Sequence, residues 1–149
     1  MWTKRGKYGL KALLYLADQP AGKGRQIHDI AEQNTIPHKY CEAILVDLKN
    51  GRLLVSRKGK GGGYSLARPA SEILVGEAVR LLDGPLAPLP CASKTRYRRC
   101  SDCPEEHACV VRLIGIDVRD AIIAVLDHTT LADMRAQSLS HRHVLSFDI

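Results

Sequence analysis

Residues 30–50 read IAEQNTIPHKYCEAILVDLKN, and residues 51–67 continue GRLLVSRKGKGGGYSLA. The first stretch holds the end of one helical pattern and the whole of another, divided by a turn. Ile27, Ile30 and Ala31 mark the inward side of a short helix over about 25–33. Gln33-Asn34-Thr35-Ile36 break the period, and Pro37 stands where the start of a helix tolerates proline. Cys41, Ile44, Leu45 and Leu48 form the buried stripe of a second helix over about 37–49, closed by Asn50-Gly51. After Gly51 the period shortens to that of strands. Residues 52–57 and 64–67 are strand candidates around Lys58-Gly59-Lys60-Gly61-Gly62-Gly63, a glycine-rich hairpin tip.

On the amino-terminal side, Leu10, Leu13, Leu14 and Ala17 recur at helical spacing and predict an amphipathic helix over 3–18, ended by Pro20 and Gly22. Helix, helix–turn–helix, then basic hairpin is the order of a winged helix. On the other side, Leu74, Ala78, Leu81 and Leu82 mark a helix over 71–83, stopped by Gly84-Pro85. Residues 84–105 have no periodicity and carry Pro85, Pro88, Pro90 and the first three of four clustered cysteines; such a loop in a compact domain is functional or disordered. From about 107 to 128, Val111, Ile114, Val118, Ala121 and Val125 follow a 3-4-3-4 spacing. That rod, about 33 Å long, exposes more apolar surface, Ile116 and Ile122 included, than a small module covers alone, and a two-fold dimer along it is the economical solution. Thr129-Thr130 are placed to cap a final short helix, and the polar stretch from Gln137 on reads as a loose tail. The fold class is therefore mainly α with a small β-hairpin wing: a winged helix-turn-helix in 1–69, and in 70–149 an effector region, its cysteine loop within 84–109, with a long dimerisation helix.

The chain has 149 residues, 45% hydrophobic and 26% charged, which suits one globular domain with at most a short accessory region. Aromatic residues are only 5%, so the core must be aliphatic. The net charge of +6 is uneven: residues 1–68 carry +8 and residues 69–149 carry −2. A basic front half points to a polyanion-binding module. The first residues set cations before an apolar stretch, as an export signal would, but Lys11 interrupts it, Asp18 ends it, and no small-residue cleavage site follows. No apolar run is long enough to span a bilayer, so no membrane partner is expected and the chain reads as cytoplasmic.

Binding DNA takes cations for the phosphates and a shaped element for the base edges. Lys4, Arg5, Lys7, Arg25, Lys39, Arg57, Lys58 and Lys60 supply the cations. The start of the 37–49 helix offers His38, Lys39, Tyr40 and Glu42 where a recognition helix reaches the major groove. Glu42 is informative, because a carboxylate near phosphates is useful mainly as an acceptor for cytosine N4. The glycines of the tip let backbone approach the minor groove while Lys58 and Lys60 neutralise its flanks. Taken alone, the lysines would be a solvated face and GKGGGY a flexible turn; their conjunction with helix–turn–helix spacing favours DNA. GKGGGY lacks the residue order of a nucleotide-binding loop.

Five cysteines without an export signal favour metal or redox chemistry over a disulfide framework. Cys91, Cys100, Cys103 and Cys109 follow C-x8-C-x2-C-x5-C. Cys100 and Cys103 can grip one centre from a tight turn, and Cys109 enters where a helix begins and a thiolate is favoured. Lys94, Arg96, Arg98 and Arg99 add positive potential around them. Four thiolates suit an iron–sulfur cluster or a zinc ion equally by count. The other readings are a zinc staple for the loop, or no metal and thiols that oxidise under stress, with Cys100 and Cys103 the first pair expected. Cys41 belongs to the core. His107, two positions before Cys109, is the one histidine retained as a candidate ligand. A thiol oxidoreductase built on Cys100-x2-Cys103 would need a βαβ context that the sequence lacks, and nothing resembles the active site of another enzyme.

The stretches TKRGKYGLKALLYLA, IAEQNTIPHKYCEAILVDLKNGRLL, GKGGGYSLAR, SEILVGEAVRLLDG and the cysteine loop running into TTLADM resemble, in order and over nearly the whole chain, the Rrf-two family of bacterial winged-helix regulators. That family includes regulators that sense iron–sulfur clusters, nitric oxide and cysteine metabolism. The resemblance implies a homodimeric transcription factor, most often a repressor, on a near-palindromic operator in double-stranded DNA, its effector region between the fourth helix and the long helix. Tyr40 and Glu42 match the family's recognition-helix pattern, with Cys41 where relatives carry Leu and Lys58 where they carry a wing arginine. Sensing members space three cysteines near C-x5-C-x5-C. Cys103 and Cys109 fit the last interval, but Tyr97 stands where the first cysteine would be, and Cys91 and Cys100 replace it. The extra local cysteine is a potential fourth ligand for a [2Fe–2S] or [4Fe–4S] cluster; control by thiol oxidation or by a partner protein is the family's metal-free alternative.

Overall fold

A computed structural model describes residues 2–147, with side chains through His141. Helix α1 is Lys4–Ala17, α2 Ile27–Asn34 and α3 His38–Asn50. Strands β1 (Leu54–Arg57) and β2 (Gly63–Leu66) form the antiparallel wing, and α4 (Val75–Asp83), α5 (Val110–Leu126) and α6 (Leu131–Phe147) complete the chain. Short 3₁₀ turns lie at Ala70–Glu72 and Pro90–Ala92.

Thr3 begins α1, its hydroxyl accepting from the N–H groups of Arg5 and Gly6 at 3.1 and 3.3 Å, which satisfies two of the donors a helix start leaves open. The turn between α2 and α3 is made at Thr35, whose φ of 54° is left-handed. Ile36 N–H closes it onto the Ala31 carbonyl at 2.9 Å, and Lys11 Nζ from α1 donates to the Asn34 carbonyl. The stripe Cys41, Ile44, Leu45 and Leu48 is fully buried, as its spacing demands. In the wing Leu54 pairs with Leu66 and Arg57 with Gly63. Arg25 adds a third, single-residue strand: its N–H donates to the Tyr64 carbonyl at 2.9 Å and Tyr64 N–H returns the bond at 2.8 Å.

The core is continuous across residue 69. Leu10, Leu13, Ile30, Ile44 and Leu48 pack in one cluster with Val75, Ala78, Val79, Leu82 and Leu131. A second bridge ties α4 to the α5–α6 turn: Val75 N–H donates to the Thr129 carbonyl and Leu131 N–H to the Ile73 carbonyl. Arg80 on α4 reinforces it with two 2.7 Å bonds to Asp127 at the end of α5.

Three elements depart from the sequence reading. The helix over 71–83 starts only at Val75, because the Pro69 turn delays it, and Leu81 faces outward instead of joining the core. The long helix has 17 residues, about 26 Å, since 107–109 are not yet helical. Residues 137–147 are not a loose tail. They continue α6, a helix of 17 residues opened by a reciprocal cap in which Asp133 accepts from Thr130 N–H and Thr130 Oγ1 from Asp133 N–H. Residues 148 and 149 of that tail lie outside the described part. No described helix is long and apolar enough to cross a membrane.

Candidate nucleic-acid interface and thiol loop

α3 divides its side chains sharply. Cys41 faces the core with no solvent exposure, and burial pushes its thiol up to about 11, so it stays a neutral packing residue. His38, Lys39, Tyr40 and Glu42, around the start of the same helix, are exposed. Two contacts set that end of the helix against α1. The rings of Tyr8 and Tyr40 meet edge to face at 5.7 Å, and Arg5 forms an ion pair with Asp47. Arg5 is thereby tied to the recognition helix instead of standing free for phosphate. Lys4 beside it is exposed.

Arg57, Lys58 and Lys60 are exposed on the wing. Gly59 and Gly61 hold φ of 93° and 79°, and Gly63 approaches the Arg25 backbone so closely that any Cβ would collide with it. The glycines are therefore the geometry of the tip. Arg25 is only half-exposed: besides its backbone bridge to β2, its Nε donates to Gln19 Oε1 at 2.7 Å.

The thiol loop hangs from α4 and α5. Asp83, the last residue of α4, accepts from Thr3 N–H at 3.0 Å and from the Thr3 hydroxyl, so the start of the loop is bolted to the start of α1. The 3₁₀ turn at Pro90–Ala92 buries Cys91, at 5% exposure. Two arginines of α5 hold that turn by its carbonyls: Arg112 Nε donates to Cys91 O at 3.0 Å and Arg119 Nη1 to Ala92 O at 2.6 Å. Tyr97, where relatives would carry a cysteine, donates its hydroxyl to Glu106, which also pairs with Arg112.

The four cysteines fall into two pairs. Cys100 shares a hydrogen bond with Cys91, which, with partial burial and neighbouring charge, pushes its thiol up. Cys103 is likewise pushed up, by desolvation first, then by the charge and hydrogen bond of Cys109. Cys100 and Cys103, the pair expected to oxidise together, instead face different partners. Among the described residues no three His, Cys, Asp or Glu side chains stand close enough to hold one metal ion. His107 is exposed.

Sequence reasoning missed Tyr8, Arg112 and Arg119. A tyrosine on an otherwise basic face of α1 and two arginines within the apolar 110–126 stretch were the available signals. Their partners lie 20 or more residues away, which periodicity does not register.

A family model for Rrf2, described as an iron-dependent transcriptional regulator, matches residues 2–137. An rrf2-like HTH-type transcriptional regulator of Rhodobacter capsulatus is 40% identical over 91% of this chain and 93% of its own length. Among solved structures, CymR, the global cysteine regulator of B. subtilis, superposes with a TM-score of 0.75 at 30% identity, covering 92% of this chain and 97% of that one. IscR of T. potens gives 0.72 at 28% identity, over 93% and 88%. The helix–turn–helix, the glycine wing and the α4–loop–α5 order all lie within the matched region, so the fold is the winged helix that the sequence pattern predicts. This chain belongs to the Rrf2 family of DNA-binding transcriptional regulators.

Proposed function

We propose that the protein works in the cytoplasm as a homodimer on a near-palindromic operator, as a repressor, and that the loop around Cys91, Cys100, Cys103 and Cys109 adjusts its grip by holding an iron–sulfur cluster. The observation that carries the reading is the opposition of two exposed faces on one body. His38, Lys39, Tyr40, Glu42 and the wing cations occupy one face. On α5, Val111, Ile114, Val118 and Val125 remain 66%, 60%, 41% and 62% exposed. That apolar row is the predicted seam, and a second copy covers it by symmetry, placing two recognition helices for two half-sites. On DNA, Tyr40 and Glu42 read base edges, Lys39 and Lys4 meet phosphates, and Lys58 and Lys60 flank the minor groove, with Arg25 and Arg57 behind the wing.

The donor set suits a cluster: four thiols on one loop, in two pairs, beside Lys94, Arg96, Arg98 and Arg99. Two thiolates for each of two irons is the demand of a [2Fe–2S] centre, met when the two pairs close toward one another. When bound, such a cluster supplies sensitivity to oxidants and to iron supply. The chain's part is mechanical. The loop connects rigidly to α1 through Asp83–Thr3 and to α5 through Arg112 and Arg119, so a change in loop shape is felt by both the DNA-binding and the dimer elements. A balance moved by a few kcal/mol changes operator occupancy several hundredfold.

The experiment is an absorption spectrum with iron and sulfide counts on anaerobically purified protein, followed by retardation of operator DNA before and after bleaching. Visible absorption with stoichiometric iron and sulfide, and an affinity that changes on bleaching, support the reading. Stoichiometric zinc without colour overturns the cluster, and a loop that staples its fold with zinc replaces it.

A further inference from the structure

We infer that the metal-free protein is a reversible two-disulfide carrier in which Cys91 joins Cys100 and Cys103 joins Cys109, and not Cys100 with Cys103. The backbone carries the argument. Arg98 N–H donates to the Pro90 carbonyl at 3.2 Å, closing residues 90–98 into a loop whose exit brings Cys100 back beside Cys91. Arg99 Nη2 reaches the carbonyls of both Cys103 and Pro104 at 3.3 Å, and Cys109 N–H donates to the Glu106 carbonyl, folding the 103–109 segment on itself. A disulfide needs its two sulfurs in contact, with the Cβ atoms about 3.8 Å apart. The thiol contacts in the structure are those of Cys91 with Cys100 and Cys103 with Cys109. Proximity in sequence makes Cys100 and Cys103 look like the natural couple, and the fold turns them to different neighbours.

The chemistry balances with a peroxide as oxidant. In each pair one thiolate attacks a peroxide oxygen, the O–O bond breaks, and a sulfenic acid and water form. The neighbouring thiol displaces a second water from that sulfur as the S–S bond closes. Two thiols and one hydrogen peroxide thus give one disulfide and two waters. With both pairs oxidised all four sulfur donors are consumed, so the loop accepts no metal until a dithiol reductant restores them. That regulatory consequence rests on the cluster reading above; the pairing does not.

The full-length chain, stripped of metal with chelator and reductant and desalted without oxygen, is treated with hydrogen peroxide, alkylated and digested. Trypsin cuts after Arg99, Asp-N before Asp102, and a Glu-specific protease after Glu105 and Glu106, so all four cysteines part company. Cys91–Cys100 and Cys103–Cys109 as the dominant cross-linked peptides, lost on dithiothreitol treatment, are expected. The Cys91→Ser variant should keep Cys103–Cys109 and leave Cys100 alkylatable; Cys109→Ser should do the reverse. A dominant Cys100–Cys103 link, a statistical mixture, inter-chain links or unreacted thiols would overturn the assignment. The readout is covalent, so it stands or fails separately from the presence of a cluster.

Discussion

The wing lysines give the DNA-binding geometry a numerical test. Five cations on the amino-terminal module are exposed: Lys4, Lys39, Arg57, Lys58 and Lys60. If each neutralises one phosphate, a dimer makes about ten such contacts, and log K should fall against log salt with a slope of about −9. Replacing Lys58 and Lys60 by alanine removes about four contacts from the pair and leaves a slope of about −5. Between 50 and 200 mM salt, the parent should then lose on the order of 10⁵-fold in affinity and the variant on the order of 10³-fold. Sequence preference should persist, because the base-reading side chains of α3 are untouched. Thermal stability should also persist, because both lysines project into solvent from a tip whose shape is set by Gly59 and Gly61. The assay is fluorescence anisotropy on a duplex selected from random DNA, at four or more salt concentrations. An unchanged slope, or an operator preference lost with the charge, would refute the placement of the wing against phosphates.

Glu42→Ala should relax discrimination at one base pair in each half-site by about 1–3 kcal/mol while binding to unrelated DNA holds or strengthens, as competition with single-substituted operators would reveal. Val118→Asp puts a carboxylate in the exposed apolar row of α5. At about 2 kcal/mol per copy, it should weaken self-association roughly a thousandfold, visible as a monomer in sedimentation at micromolar concentration. Arg80→Met removes both bonds to Asp127 and should cost about 2 kcal/mol near pH 7. Arg80 holds the Asp127 carboxyl below its ordinary value of 3.8, so this contribution is present above that pH and lost as pH falls through the lower folded value. The gap between variant and parent in urea melts should therefore close in acid; a gap constant from pH 7 to pH 2 would contradict the pairing.

Local pattern was a good guide wherever one face of an element is buried by its nearest neighbours. The α3 stripe and the glycine tip stand where the sequence places them, and Cys41 lies in the core as its spacing requires. The row from Val111 to Val125 is apolar and left uncovered by its own chain, as a seam awaiting a second copy would be. The errors have equally local causes. A polar stretch beginning at Gln137 looks unable to hold a helix, yet the Thr130–Asp133 cap starts one and Met134, packed on the core, secures its first turn. Leu81 fits the helical period but sits on the outward side of α4 because the Pro69 turn delays the start of that helix.

By itself the sequence determined the module: periodicities of 3.6 and 2, interrupted by Pro37, Gly51 and the glycine run, allow few arrangements other than a helix–turn–helix with a wing. The charge contrast between its halves indicated which half meets DNA. Which thiols touch was decided only in three dimensions. Sulfur contact depends on where the Arg98–Pro90 bond and the Arg112 and Arg119 clamps return the chain, and those partners are separated by stretches that no spacing rule spans. The same holds for the ties of Asp83 to Thr3 and Arg80 to Asp127. They join loop, recognition module and long helix through side chains that meet only once the shared core has formed.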